Sequence, residues 1–157
     1  MSRRSRSNHT RKRGALIKGL AAAVYQVCAG LALPLSRMIK SDSLARAWFR
    51  IGRRILPEFE GDLAVTMSVH YEARGEVELA ASYLRKALEG APRSAIYHLM
   101  LAQRFHSLDH TAEAEIEYEM ALTLHADPTV RLPSSKLSTQ EQQQAQEGLA
   151  QVRRDGN

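Results

Sequence analysis

The sequence predicts an all-α chain: a short stack of helical hairpins, forming a small solenoid, preceded by an apolar helix. Three observations predict it. Residues 61–128 repeat at a shift of 34, so that Ala80 falls on Ala114, Leu84 on Tyr118, Ala87 on Ala121 and Tyr71 on Phe105. Within each copy apolar residues recur three and four apart, the spacing of a helix with one buried face. Residues 14–35 form a separate apolar run with a single charge, Lys18. A fixed period of about 20 to 50 residues marks units that bury their apolar faces only against their neighbours.

Each period holds two helices. In the first copy Leu63, Met67 and Tyr71 make a stripe at i, i+4 and i+8, with Ala64 and Val65 beside it, and Arg74-Gly75-Glu76 supplies a turn. A second helix follows over 77–89, with Leu79, Ala80, Tyr83, Leu84, Ala87 and Leu88 as its apolar set. Gly90 and Pro92 stop it, since glycine suits a helix end and proline cannot extend one. The second copy predicts helices over 95–107 and 111–122, the latter with Asp109 as N-cap and Asp127-Pro128 as terminator.

The spacing Ala80-x3-Leu84-x2-Ala87-x4-Pro92, with Tyr71 nine residues before Ala80, resembles the tetratricopeptide repeat (TPR). Phe105, Ala114, Tyr118 and Ala121 carry the likeness in the second copy. The Trp and Leu-Gly of that pattern are replaced by Ala64, Met67 and Ser68, then by His98, Leu101 and Ala102, and the closing Pro128 arrives two places late. Alanine at the crossings lets antiparallel helices approach closely, and a bulkier side chain there would overpack by about 1–3 kcal/mol. The resemblance implies that Tyr71, Ala80, Leu84, Ala87, Phe105, Ala114, Tyr118 and Ala121 are packing residues.

Upstream, Ser43 opens an amphipathic basic helix over 43–57. Leu44, Trp48, Ile51 and Ile55 form one stripe with Ala45, Phe49, Gly52 and Leu56 beside it, and Arg46, Arg50, Arg53 and Arg54 take the remainder. As a membrane-surface helix its Trp and Arg make sense. The preferred reading is a degenerate repeat helix, because Ala45-x3-Phe49-x2-Gly52-x4-Pro57 reproduces the spacing of Ala80, Leu84, Ala87 and Pro92.

Charge divides the chain at Pro57. Residues 1–56 carry thirteen Lys and Arg against one Asp, a net +12, and residues 57–157 carry nine against sixteen acids, a net −7. Residues 1–13 hold six basic side chains and no apolar residue after Met1, the composition of a disordered arm. Residues 14–35 are long enough to span a hydrocarbon core of about 30 Å as a helix, with Lys18 able to snorkel. An uncleaved single-pass anchor with its N-terminus in the cytoplasm is the preferred reading. A cleavable signal peptide ending near Val27-x-Ala29 and a buried or interfacial helix of a soluble cytoplasmic protein are the alternatives. The lone Cys28 excludes an intrachain disulfide and any multi-cysteine zinc site.

At the C-terminal end Ser138-x-x-Glu141 is a capping box that opens a last helix over 138–154. Ala145, Leu149 and Val152 give it a single apolar stripe, which suits a terminal helix covering the open end of a stack.

No phosphate-cradling glycine loop, nucleophile elbow or paired metal motif occurs, so the expectation is a non-enzymatic chain without cofactor. His106 and His110 have ligand-like spacing but straddle a predicted turn. Glu113, Glu115, Glu117 and Glu119 splay around their helix like a solvated face. The TPR resemblance implies a concave groove, lined by the first helix of each repeat, that receives a protein or peptide partner. Its lining would be Asp62, Val65, Val69 and Glu72, then Ile96, Leu99, Gln103 and His106, an apolar floor with acidic edges. Val65 and Val69 stand where the family's carboxylate-clamping variant has polar residues. The chain thus reads as a scaffold tethered to a membrane; the alternative is a soluble protein whose basic N-terminal region binds nucleic acid.

Overall fold

The structure, a computed structural model, describes residues 42–130 and 135–156, with Gly19 and Ala23 as single helical positions. The arm over 1–13 and, apart from those two residues, the apolar run over 14–35 lie outside the described residues. Among the described residues all regular structure is helical, and no helix there is long and apolar enough to cross a membrane. The chain divides into two units, residues 1–60 and 61–157.

In the first unit α1 (Asp42–Ile55) leads into a 3-10 turn over Pro57–Phe59. Its buried set is Ala45, Trp48, Phe49 and Gly52, followed by Leu56. Ile51 and Ile55 are each 53% exposed. The buried stripe is therefore rotated from the expected Leu44-Trp48-Ile51-Ile55 line onto the Ala45-Phe49-Gly52 line. Apolar residues cover enough of this helix for either stripe to be drawn, and the smaller residues are the ones that permit close packing. Arg46 pairs with Asp42 at 3.0 Å, and Arg53 approaches Glu60 at 3.4 Å.

The second unit consists of α2 (Glu60–Glu72, counted from its first residue), α3 (Val77–Gly90), α4 (Ala95–Ser107), α5 (Thr111–Ala126) and α6 (Thr139–Asp155). Helices α2 and α3 run antiparallel. Gly61 lies against the Ala87 carbonyl at one end, and Tyr71 stacks on Tyr83 at 5.4 Å towards the other. Helix α4 returns against α3, with the Arg85 guanidinium 4.9 Å above the Phe105 ring. Helix α5 folds back on α4, and α6 packs antiparallel to α5, where Arg153 bonds both Glu115 and Glu119. Helix α4 thus lies against α3, α5 and α6. All eight residues named above for packing, from Tyr71 to Ala121, are between 0 and 4% exposed. Four alanines among them, each at 0%, set the close helix approaches.

The turns after α2 and α4 are built alike. Gly75 has φ 77°, its N–H donates to the Glu72 carbonyl, and the Glu76 N–H reaches back to Tyr71 at 2.9 Å. Thirty-four residues on, Asp109 has φ 59°, its N–H donates to His106, and the His110 N–H reaches Phe105 at 2.9 Å. These paired bonds satisfy the last carbonyls of the helix and require a left-handed residue at the turn. Asp109 therefore ends α4 rather than capping α5, whose first turn follows His110. Helix α5 also runs four residues beyond the expected 122, because nothing before Asp127 breaks it and Leu124 is buried there.

The capping box at the start of α6 forms, with the Glu141 N–H donating to Ser138 Oγ and the Ser138 N–H to Glu141. Ala145 and Val152 are buried and Leu149 packs against the same core. A Cβ on Gly148 would collide with the Tyr118 ring, so glycine lets α6 sit this close to α5.

Candidate partner-binding face

Helices α2 and α4 are parallel neighbours because they are joined at both ends. The Tyr97 hydroxyl donates to Asp62 Oδ1 at 3.1 Å near their N-termini. Arg104 donates to Glu72 at 2.5 Å near their C-termini. The two rows expected to line a groove are thus brought side by side. Asp62 and Glu72 are exposed, Val69 is 44% exposed, and Val65, Ile96, Gln103 and His106 are half-buried. Leu99, at 3%, belongs to the core and offers no surface. Val65 and Ile96 pack against that core with their inner sides.

Burial, the Asp62 charge and the hydrogen bond to it push the Tyr97 phenol up to about 12, so it stays a donor across the physiological range. Arg104 is 8% exposed, and its Nε has no partner within hydrogen-bond distance. Burial raises Tyr118, with the nearby Arg104 charge opposing it. Both acids of the face are therefore engaged, Asp62 by a hydroxyl and Glu72 by a guanidinium. Between them the most exposed apolar side chain is Val69. No protein-family model and no curated protein matches this chain.

The histidines divide among structural tasks. His98 faces two acceptors, Glu117 at 2.6 Å through Nδ1 and the Pro92 carbonyl at 3.1 Å through Nε2. A ring between two acceptors is satisfied only when both nitrogens are protonated. Burial alone would lower its pKa, but the Glu117 hydrogen bond, the Pro92 carbonyl and the Glu117 charge outweigh it and leave it raised above the ordinary 6.5. His98 is thus a polar clamp between α4 and α5 rather than an apolar filler. His106, at the C-terminal end of the face, approaches Asp155 at 3.8 Å and meets Tyr118 edge-on, while His110 stacks on Phe105 across the turn. Among the described residues no group of three or more His, Cys, Asp or Glu is placed to hold a metal. The glutamates of α5 are not a plain solvated face, since Glu115 and Glu119 meet Arg153 and Glu117 meets His98. Two clefts, of about 410 and 480 Å3, are lined by none of the face residues.

Sequence reasoning missed Tyr97, Arg104, Glu117 and Arg153. For Tyr97, Arg104 and Arg153 the available signal was the period itself; Glu117 meets His98 only 19 residues away, outside that period. Six long-range side-chain hydrogen bonds join residues 32 to 38 apart: Tyr97 to Asp62, Arg104 to Glu72, Arg93 to Asp127 and Thr129, and Arg153 to Glu115 and Glu119.

Proposed function

We propose that this chain is a non-enzymatic adaptor of the TPR type, whose α2 and α4 face receives a segment of a partner protein. We propose also that residues 14–35 tether it to a membrane. The observation that carries the repeat reading is the recurrence at 34 residues of two features, the buried Ala-large-Ala triads and the left-handed turn residues Gly75 and Asp109, together with polar ties that join α2 to α4 across 32 and 35 residues. Adaptor function follows from what such a face offers. It presents apolar side chains at Val69, Val65 and Ile96 between two engaged acids, Asp62 hydrogen-bonded by Tyr97 and Glu72 paired with Arg104, suited to aliphatic side chains of an extended or helical segment. Helix α6 fits the role of a terminal cap, with Ala145 and Val152 turned inward and polar residues elsewhere.

The test is photo-crosslinking in cells from p-benzoylphenylalanine placed at Val69 or at Gln103, with exposed Glu89 on α3 as control. A discrete adduct from the first two positions and none from the third is expected, and Val69→Glu should remove the adduct formed at Gln103. Adducts equally frequent at all three positions would sink the groove reading. For the tether, the full chain should resist an alkaline carbonate wash of membranes and a version starting at Pro57 should not.

A further inference from the structure

The outer side of α1 combines two features that rarely occur together without a partner. Ile51 and Ile55, one turn apart, are each 53% exposed, and Phe59 in the following turn is 43% exposed. One residue before each isoleucine, about 100° round the helix, stand the exposed Arg50 and Arg54. Neither arginine has an ion pair among the described residues, whereas Arg46 and Arg53 on the same helix are paired with Asp42 and Glu60. The adjoining side of α1 is already spent on burial through Ala45, Trp48, Phe49 and Gly52, so the isoleucines lie between that buried stripe and the arginines.

We infer that this face of α1 lies on an anionic lipid surface, with Ile51, Ile55 and Phe59 entering the acyl boundary and Arg50 and Arg54 reaching headgroup phosphates. Charge and apolarity together select that occupant. Residues 1–56 carry a net +12, so an anionic partner is attracted over a wide area. A nucleic acid would answer the charge but gives nothing apolar for the isoleucines. A second copy meeting the same face would bring like charge against like. A bilayer surface supplies both demands at once. Arginine suits it, because its aliphatic stem lies along apolar side chains while the guanidinium stays at the headgroups. A helix held this way lies in the membrane plane with its apolar edge about 5–10 Å below the headgroup boundary. The assignment deepens the membrane-tethered reading above by giving the basic unit a lipid class, and it needs no particular fate for residues 14–35.

The test places a nitroxide at position 51 by Ile51→Cys, or at position 89 by Glu89→Cys, each in a Cys28→Ser full chain. The chains are mixed with vesicles of phosphatidylcholine plus phosphatidylserine, or of phosphatidylcholine alone. On the anionic vesicles the label at 51 should become accessible to oxygen and shielded from a water-soluble nickel chelate, while the label at 89 stays in water. Each arginine near such a surface strengthens binding about fivefold, so Arg50→Gln with Arg54→Gln should weaken anionic-vesicle binding on the order of 25-fold. A vesicle-bound chain with position 51 in water would overturn this inference and leave the tether reading standing. Insertion at 51 that an alkaline carbonate wash reverses would support it and overturn the tether. A label that becomes shielded from both quenchers without vesicles, as protein concentration rises, would mean that a second copy covers the face and would also overturn it.

Discussion

Gly148→Ala tests the docking of α6 on α5 through the sign of its effect. In an exposed helix interior, replacing glycine by alanine stabilises by about 1 kcal/mol, because alanine has less backbone freedom to lose. At Gly148 the new methyl group would meet Tyr118 at its ring carbons and hydroxyl oxygen, closer than van der Waals contact permits. The ring cannot easily swing away, since it is 3% exposed and braced edge-on by His106. Overpacking of this kind costs about 1–3 kcal/mol. The net expectation is a loss of about 1 kcal/mol, or roughly 4–8 °C in Tm for a unit of this size. In a Tyr118→Leu background the obstructing atoms are gone, and the same glycine replacement should stabilise by about 1 kcal/mol. Urea unfolding of the four full-length chains, followed by circular dichroism at 222 nm, reads both effects and their coupling. If Gly148→Ala raises the urea midpoint of the otherwise native chain, α6 does not approach α5 at this glycine, and the capping role assigned to it fails.

Three further outcomes follow from the same structure. His98 has a folded pKa raised above 6.5, so its contribution to stability is fully present below the unfolded value and is lost as pH rises through the folded one. The urea midpoint should fall as pH is raised from 6.5 upward, and Glu117→Gln should flatten that decline; an unchanged slope in the variant would remove the clamp from the account. Gly75→Ala forces a side chain into the left-handed region at a cost of about 1–2 kcal/mol, whereas Asp109→Gly relieves such strain and should be neutral or stabilising; paired thermal melts showing the same sign for both would refute the matched turns. Ala80→Glu or Ala114→Glu places a charge where the native side chain is 0% exposed, which should unfold the second unit by circular dichroism, and native-like melting would refute the close helix crossing.

What could be read from the sequence was whatever a periodic pattern carries. Ala80, Leu84 and Ala87, with their counterparts at 114, 118 and 121, announce themselves because small and large residues must alternate where helices cross. The bounds of α4 fall at 95 and 107 as expected, since Ser94 caps its start, accepting from the Tyr97 N–H, and the turn residues end it. Asp109 was misleading for a physical reason: aspartate favours both an N-cap and a left-handed turn, and only the backbone hydrogen bonds distinguish them. The polar ties were illegible one by one, because Tyr97, Arg104 and Glu117 look like ordinary surface residues until their partners are known. On the candidate face, Leu99 was expected to line the groove, yet the same spacing that puts it in the row turns it into the core.

The ties near 34 residues also bear on how the second unit opens and closes. Each joins a helix only to its near neighbours, and among the described residues the longest loop closed by a side-chain ion pair or hydrogen bond is the 49 residues between His106 and Asp155. Loop-closure entropy grows only with the logarithm of length and these loops are short, so assembly is predominantly local. On the repeat reading proposed above, the chain zips from any hairpin outward and frays at one end while the other stays formed. The α2 end is held to α4 through two polar clasps, Asp62 with Tyr97 and Glu72 with Arg104. Releasing them would loosen the first hairpin without touching the α5 and α6 pair, so a ligand seated across α2 and α4 would act as a splint on that end of the stack.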